Sequence, residues 1–237
     1  MPEVRRSRAV VLLSGGMDST AALILAKSQH DEVRAISFSY GQPHRDAELQ
    51  RAAAVASAHA VPMSILEIAD SLQTKAGLMG QVRQSEIIGG KDTAFIPGRN
   101  LALLSLAAAH GSVWFKSWPF TIVIGANADD AAGFPDCRRD FFSQAAIALG
   151  LGVGHAVRID APFLKHTKAE MIAGMALGGD DVLAWLLSSW SCYAGKRAAC
   201  GICTACVARS RAVADTGVTD AQAAPRIFGG DPSRSHG

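Results

Sequence analysis

The stretch Ser14-Gly15-Gly16-Met17-Asp18-Ser19 decides how this chain is read. An apolar run, Arg8-Ala9-Val10-Val11-Leu12-Leu13, precedes it, and a helix-like run, Thr20-Ala21-Ala22-Leu23-Ile24-Leu25-Ala26-Lys27, follows it. A strand, a tight Gly-Gly turn and a helix start place backbone N–H groups and the positive end of a helix around an anion. Gly15 and Gly16 let the backbone approach a phosphate closely and take φ > 0. Ser14 and Ser19 add hydroxyl groups, and Asp18 is a candidate ligand for Mg²⁺ beside the phosphates. The loop is not of the Walker type, because no Lys follows the glycines. A plain turn between a buried strand and a helix is the bland alternative. The order of strand, loop, acid and helix favours the phosphate reading.

Working outward, apolar runs alternate with helical patterns. Strands are expected over residues 33–39, 64–68, 121–125 and 156–159, and helices over 46–60, 101–110, 140–149 and 168–177. Polar loops follow the strands, among them residues 127–139. This alternation predicts a parallel α/β sheet flanked by helices, with ligands at the carboxyl ends of its strands. Residues 70–92 are mixed and weakly periodic and are expected to form a lid or loop near the site. Pro97 and Gly98 break structure and present Arg99 and Asn100 at a helix entry. Residues 224–237, rich in Pro, Gly, Ser and Arg, are expected to be poorly ordered.

Of the 237 residues 49% are hydrophobic and 19% charged, which describes a globular chain long enough for a substantial core. The net charge of +2 argues neither for nor against nucleic acid, and the basic residues are scattered apart from Arg5, Arg6 and Arg8, read as a solvated arm. No apolar segment is long enough to span a membrane, and the first apolar run carries the phosphate loop rather than a signal peptide. A cytoplasmic protein is expected. In that setting the five cysteines read as metal or catalytic groups before disulfides. Cys192, Cys200, Cys203 and Cys206 have the spacing of a tetrahedral thiolate site, with Gly201 allowing a tight knuckle. A closed four-sulfur shell suits a structural Zn²⁺; a disulfide or redox pair and an iron–sulfur cluster are the alternatives. Cys137, the odd cysteine, is either structural or a nucleophile. Lys165 and Lys168 are read by default as solvated, and His44 as a contact to ammonia or phosphate or as a structural residue.

The phosphate loop resembles that of the N-type ATP pyrophosphatases, which split ATP into AMP and pyrophosphate while activating a carboxyl or carbonyl oxygen. The chain also carries Tyr40-Gly41-Gln42-Pro43-His44, Pro97-Gly98-Arg99-Asn100 and Gly133-Phe134-Pro135-Asp136-Cys137-Arg138. Ser191-Cys192-Tyr193 and Cys200-Gly201-Ile202-Cys203-Thr204-Ala205-Cys206 follow, with Arg209 beyond. This ordered set, over residues 9–220, resembles the 7-cyano-7-deazaguanine synthase (QueC) family. The resemblance implies a Rossmann-like fold of the adenine nucleotide alpha hydrolase type over residues 8–180. It further implies a four-cysteine zinc-binding segment over 181–220 and a tail over 221–237.

It also implies conversion of 7-carboxy-7-deazaguanine and ammonia to the nitrile through adenylated intermediates, with two ATP, Mg²⁺ and a structural Zn²⁺, in a homodimer. Nucleotide binding then falls to Leu13, Ser14, Gly15, Gly16, Met17, Asp18, Ser19, Thr20, Arg99 and Asn100. Catalysis falls to Asp18, Ser19, Arg99, Asp136 and Arg138. Asp136 is a candidate for the base edge, and Arg138 or Arg99 for the substrate carboxylate or a phosphate; a loop-stabilising pair of Asp136 and Arg138 is the alternative. Ser39, Pro43, Asp130-Ala131-Ala132 and Phe134 depart from the family's pattern around the substrate loops. Three other outcomes therefore stand beside the nitrile: an enzyme that stops at the amide or joins the activated carboxyl to a macromolecular amine such as a protein acceptor, a tRNA thiolase, and a non-catalytic zinc module. The absence of a basic stripe counts against direct nucleic-acid binding.

Overall fold

The computed structural model describes residues 7–68, 96–116, 118–195 and 198–220. The expected lid at 70–92, Arg5, Arg6 and the tail at 221–237 lie outside the described residues. Five strands form one parallel sheet in the order β3-β2-β1-β4-β5: β1 Arg8–Leu12, β2 Glu32–Ser39, β3 Met63–Glu67, β4 Phe120–Ile124 and β5 Val157–Asp160. The helices are α1 Met17–Gln29, α2 Arg45–Ala58, α3 Arg99–Trp114, α4 Ala128–Gly133, α5 Arg139–Val153, α6 Lys168–Ala176, α7 Asp180–Ser188 and α8 Thr204–Thr216.

Alternation along β1 divides the core. Ala9 and Val11 face one cluster with α1, α6, α7 and α8, through residues such as Ala22, Ile172, Leu186 and Val213. Val10 and Leu12 face the other, with α3 and α5, through Leu104, Ala108 and Phe142. Burial on both faces explains why β1 reads as a continuous apolar run. The helices after Cys203 and before Ser189 therefore share one core with β1 rather than hanging from the sheet.

The sequence places every strand within one residue or so of its observed bounds. It misses α7 and α8, and it reads residues 127–139 as loop, where α4 and a 3₁₀ turn, Pro135–Cys137, fold. Asn127 explains α4: its side chain accepts from the Asp129 and Asp130 N–H groups, and Asp130 reaches back to the Asn127 N–H. That capping box stabilises a six-residue helix with no buried residue of its own.

The chain leaves β1 toward β2 on one side and reaches β4 on the other. The loops after β1 and β4 thus diverge at a topological switch point and open a crevice beyond the sheet. The two loops touch: a Cβ on Gly125 would lie 2.5 Å from the Asp18 carbonyl carbon and 2.6 Å from the Ser19 nitrogen. Only glycine lets β4 come this close to the start of α1. Gly125→Ala is expected to destabilise the protein by about 1–3 kcal/mol, measured as a lower midpoint of denaturant unfolding with an unchanged slope.

Candidate active site

A cavity of about 770 Å³ occupies the crevice. Leu13, Ser14, Gly16, Met17, Asp18 and Ser19 form its floor. Gly15 has φ +80° and Gly16 caps α1 without a side-chain hydrogen bond, so the first-turn N–H groups of α1 have no side chain competing for them. The serines brace the loop from within. Ser19 Oγ donates to the Gly16 carbonyl at 3.0 Å and accepts from the Ser14 N–H at 3.2 Å, while Ser14 Oγ lies 3.0 Å from Ser19 Oγ. Thr20 is buried and, like Gly15, does not line the cavity.

Asp18 is held by both oxygens. Lys168 Nζ donates to one at 2.5 Å, and Asn127 Nδ2 to the other at 3.2 Å. Lys168 is thus no solvated lysine. A second capping box, Thr167 with Glu170, starts α6 at Lys168, and the Ala128 N–H bonded to the His166 carbonyl draws the β5–α6 loop against the β4 loop. Burial opposes the Lys168 charge, but Asp18 and Asp130 outweigh it and raise its pKa. Burial and the nearby Asp18 charge push Asp130 up to about 6.

The facing wall comes from α3 and the loop before α5. Arg99 and Asn100 stand at the α3 entry after Gly98 at φ +75°, as the breaker residues predict. Arg99 hydrogen-bonds the Tyr40 side chain; burial disfavours its charge, yet Tyr40, Tyr193 and Asp136 leave its pKa raised. Asn100 Nδ2 donates to the Asp136 carbonyl at 3.1 Å and to Cys137 Sγ at 3.3 Å. Burial pushes the Cys137 thiol up to about 12, so it stays protonated, which argues against a nucleophile. Asp136 lies behind this wall, buried, with a carboxylate oxygen 3.4 Å from the Asn100 N–H, and does not line the cavity. Arg138 lies apart from both: it donates to the Ala131 carbonyl at 3.2 Å and lines a separate cavity with Arg139 and Lys165.

The third wall is the loop after β2 together with the cysteine segment. Sequence reading passed over Glu48, whose carboxyl sits 3.1 Å from Gln42 Nε2 and 3.4 Å from His44 Nε2. Burial raises its pKa to about 7, against the pull of Gln42 and Arg99. Burial likewise lowers His44 to about 4, leaving a neutral ring whose centroid is 5.3 Å from that of Tyr193. The signal was the spacing of His44 and Glu48, one helical turn apart at the start of α2.

Behind Tyr193, the Sγ atoms of Cys192, Cys200, Cys203 and Cys206 all lie within 4.8 Å of one another. The Cys200 N–H donates to Cys192 Sγ at 3.2 Å and the Cys203 N–H to Cys200 Sγ at 3.4 Å. Burial opposes thiolate at Cys200, but N–H donors from Ile202 and Cys203 outweigh it and bring its pKa to about 7. Gly201 takes φ +73° at the knuckle, as expected. Four convergent sulfurs with N–H donors fit a tetrahedral metal. The segment is anchored by Arg209, only 3% exposed, which pairs with Asp220 and donates to the Ser189 and Leu187 carbonyls.

A family model described as "Queuosine biosynthesis protein QueC" matches residues 8–217. A 7-cyano-7-deazaguanine synthase of Gloeobacter violaceus is 37% identical over 224 residues, covering 90% of this chain and 94% of its own. The protein of the same name from Marinobacter nauticus is 36% identical over 92% of this chain and 97% of its own. That from Hydrogenovibrio crunogenus is 38% identical over 93% and 97%. Among solved structures, NMN synthetase from Francisella tularensis is 15% identical over 92% of this chain and 81% of that chain, with a TM-score of 0.48.

The raised Glu48 pKa has a consequence for stability. Its folded value of about 7 lies above its ordinary 4.5, so folding favours the protonated acid. The contribution is full below the ordinary value and is lost as pH rises through about 7. At pH ~8, Glu48→Gln is therefore expected to be more stable than wild type by about 3 kcal/mol, the equivalent of the shift. The difference should shrink toward zero as the pH falls to ~4, in urea unfolding at both pH values.

Proposed function

Since the chain belongs to the QueC family, we propose that it converts 7-carboxy-7-deazaguanine and ammonia to 7-cyano-7-deazaguanine at the expense of two ATP. One observation carries the reading: a single cavity joins an anion-binding loop to a wall bearing Arg99, Asn100 and Cys137. ATP then lies with its phosphates over Gly16 and the start of α1, and the deazaguanine against Arg99 and Phe134.

A carboxylate is a poor electrophile, and oxide is a poor leaving group. Its oxygen attacks the α-phosphorus, pyrophosphate departs along the loop, and ammonia displaces AMP to give the amide. The amide oxygen repeats the attack on a second ATP, and loss of AMP leaves the nitrile. The loop N–H groups and Lys168 stabilise charge on the departing pyrophosphate, for which Lys168 exchanges Asp18 for phosphate oxygen. Asp18, Asp129 and Asp130 all line the cavity, and each carboxylate oxygen has lone pairs to spare, so this edge fits Mg²⁺. Bound with ATP, that ion neutralises phosphate charge. Arg99 holds the substrate carboxylate, while Asp136 acts through Asn100 and Arg99 as a positioning residue.

The four-cysteine cluster fits structural Zn²⁺ better than a catalytic metal, because all four protein ligands converge and leave no open position. A homodimer belongs to the same proposal, supported by the exposed Val113, Ile147 and Leu151 on α3 and α5. So does a cytoplasmic setting, which keeps the thiols reduced; among the described residues no helix is long and apolar enough to cross a membrane. Amide formation, conjugation to a macromolecule and tRNA thiolation are not favoured: the relatives bear the nitrile synthase name, and the Cys137 thiol is held protonated. Mass spectrometry of the products formed from 7-carboxy-7-deazaguanine, ATP, Mg²⁺ and ammonium is expected to show the nitrile and two AMP per nitrile. An amide with one AMP would contradict the second half of the reaction.

A further inference from the structure

The proposed reaction sheds protons from nitrogen at several points. Ammonium, the dominant form in neutral water, must lose one before it can attack. The nitrogen loses another when the C–N bond forms and AMP leaves with the C–O electron pair. In the second half both amide protons depart as the nitrile forms and the second AMP leaves. The phosphate machinery supplies no base for this, and a half-buried carboxyl on the third wall has no part in binding phosphate.

The geometry points to Glu48 as the catalytic base of this cavity, the group that receives the nitrogen protons and passes them to solvent between steps. This rests on the nitrile-forming reading given above. Glu48 lines the cavity from α2, immediately beside the phosphate loop: its carbonyl oxygen would lie 2.3 Å from a Cβ on Gly15. Its carboxyl is aimed by a residue with no freedom left. Gln42 Oε1 accepts from the Tyr40 N–H at 2.9 Å, and Gln42 Nε2 donates to the Phe38 carbonyl at 3.0 Å and to Glu48 Oε2 at 3.1 Å. Gln42 and His44 touch the carboxyl, the Arg99 charge from α3 acts on it, its own charge acts on Tyr40 from the β2 loop, and Tyr193 from the cysteine segment lies against the His44 ring. His44, 3% exposed, stands beside Glu48 with Nε2 3.4 Å from the carboxyl and a backbone hydrogen bond to Tyr193, and burial keeps its ring neutral.

The other candidates along the cavity are engaged or unsuited. Asp18 is paired with Lys168. Asp129 accepts from the Lys168 N–H and Asp130 from the Asn127 N–H. Asp215 is exposed to solvent on α8. Cys137 holds its proton too tightly and His44 too weakly, whereas a carboxyl near 7 both takes and releases one at neutral pH.

The test compares two nucleophiles. Zinc-loaded full-length wild type, Glu48→Gln and Glu48→Asp are supplied with 7-carboxy-7-deazaguanine, ATP and Mg²⁺ at neutral pH, with ammonium and hydroxylamine in competition. Hydroxylamine is a weaker base than ammonia and is already unprotonated, so it needs no deprotonation before attack. The ratio of hydroxamate to amide plus nitrile is expected to rise about 10²-fold in Glu48→Gln relative to wild type, with Glu48→Asp between the two. An unchanged ratio in both variants overturns the assignment and leaves the reaction standing. Wild type that forms no product with either nucleophile overturns the reaction and the assignment with it.

Discussion

The cavity depends on the clamp around Gly15. Its positive φ turns the chain out of the sheet, and neighbours close on both sides: the α2 backbone at Glu48 and Ala52, and the Trp190 N–H, which donates to the Gly15 carbonyl at 2.9 Å. A Cβ at this position would meet α2 backbone atoms at 2.3 and 2.8 Å. The loop is therefore held rigid by elements from distant parts of the chain, and a rigid set of N–H donors stabilises developing charge without reorganising. Trp190 connects this clamp to the cysteines, since its indole N–H donates to the Cys192 carbonyl at 2.7 Å. A second contact fixes the same segment to the β2 loop, where a Cβ on Gly195 would lie 2.1 Å from the Pro43 carbonyl oxygen. A metal in the four-cysteine cluster would thus act on the phosphate loop through two residues, although it lies outside the chemistry.

Charge is distributed around the cavity with a consistent logic. Cations sit where phosphate and carboxylate are expected, at Lys168 on the floor and Arg99 on the facing wall, each poised by a partner it can exchange. The third wall is kept poor in charge, with a neutral histidine, two tyrosines and a carboxyl that burial holds near neutrality. Such a wall suits a neutral nitrogen nucleophile better than a phosphate.

Much of this was legible in the sequence because it is local. The strand, Gly-Gly turn and helix around Ser14–Ser19 follow from apolar runs and glycine, and the Cys200, Cys203 and Cys206 spacing announces convergent sulfurs within one short knuckle. What escaped depends on chain segments far apart. Lys168 and Asp18 are 150 residues apart in sequence, and only the paired loops after β4 and β5 bring them together. Arg138 and Asp136 are adjacent to a cavity-lining cysteine, yet a 3₁₀ turn sends one into a separate cavity and buries the other. Turn geometry of that kind leaves no periodic trace. Glu48 was hidden by composition: a glutamate in the first turn of a helix reads as a solvated, dipole-stabilising residue until packing shows it half-buried against Gln42 and His44.

The central claim is that the cavity transfers the α-phosphorus of ATP to the carboxylate oxygen of its substrate. The most direct measurement supplies 7-carboxy-7-deazaguanine labelled with oxygen-18 in its carboxylate and follows the label by mass spectrometry. Adenylation predicts that AMP carries one labelled oxygen from each turnover step and that the nitrile carries none. Unlabelled AMP, with the label left on the deazaguanine or lost to water, would contradict it.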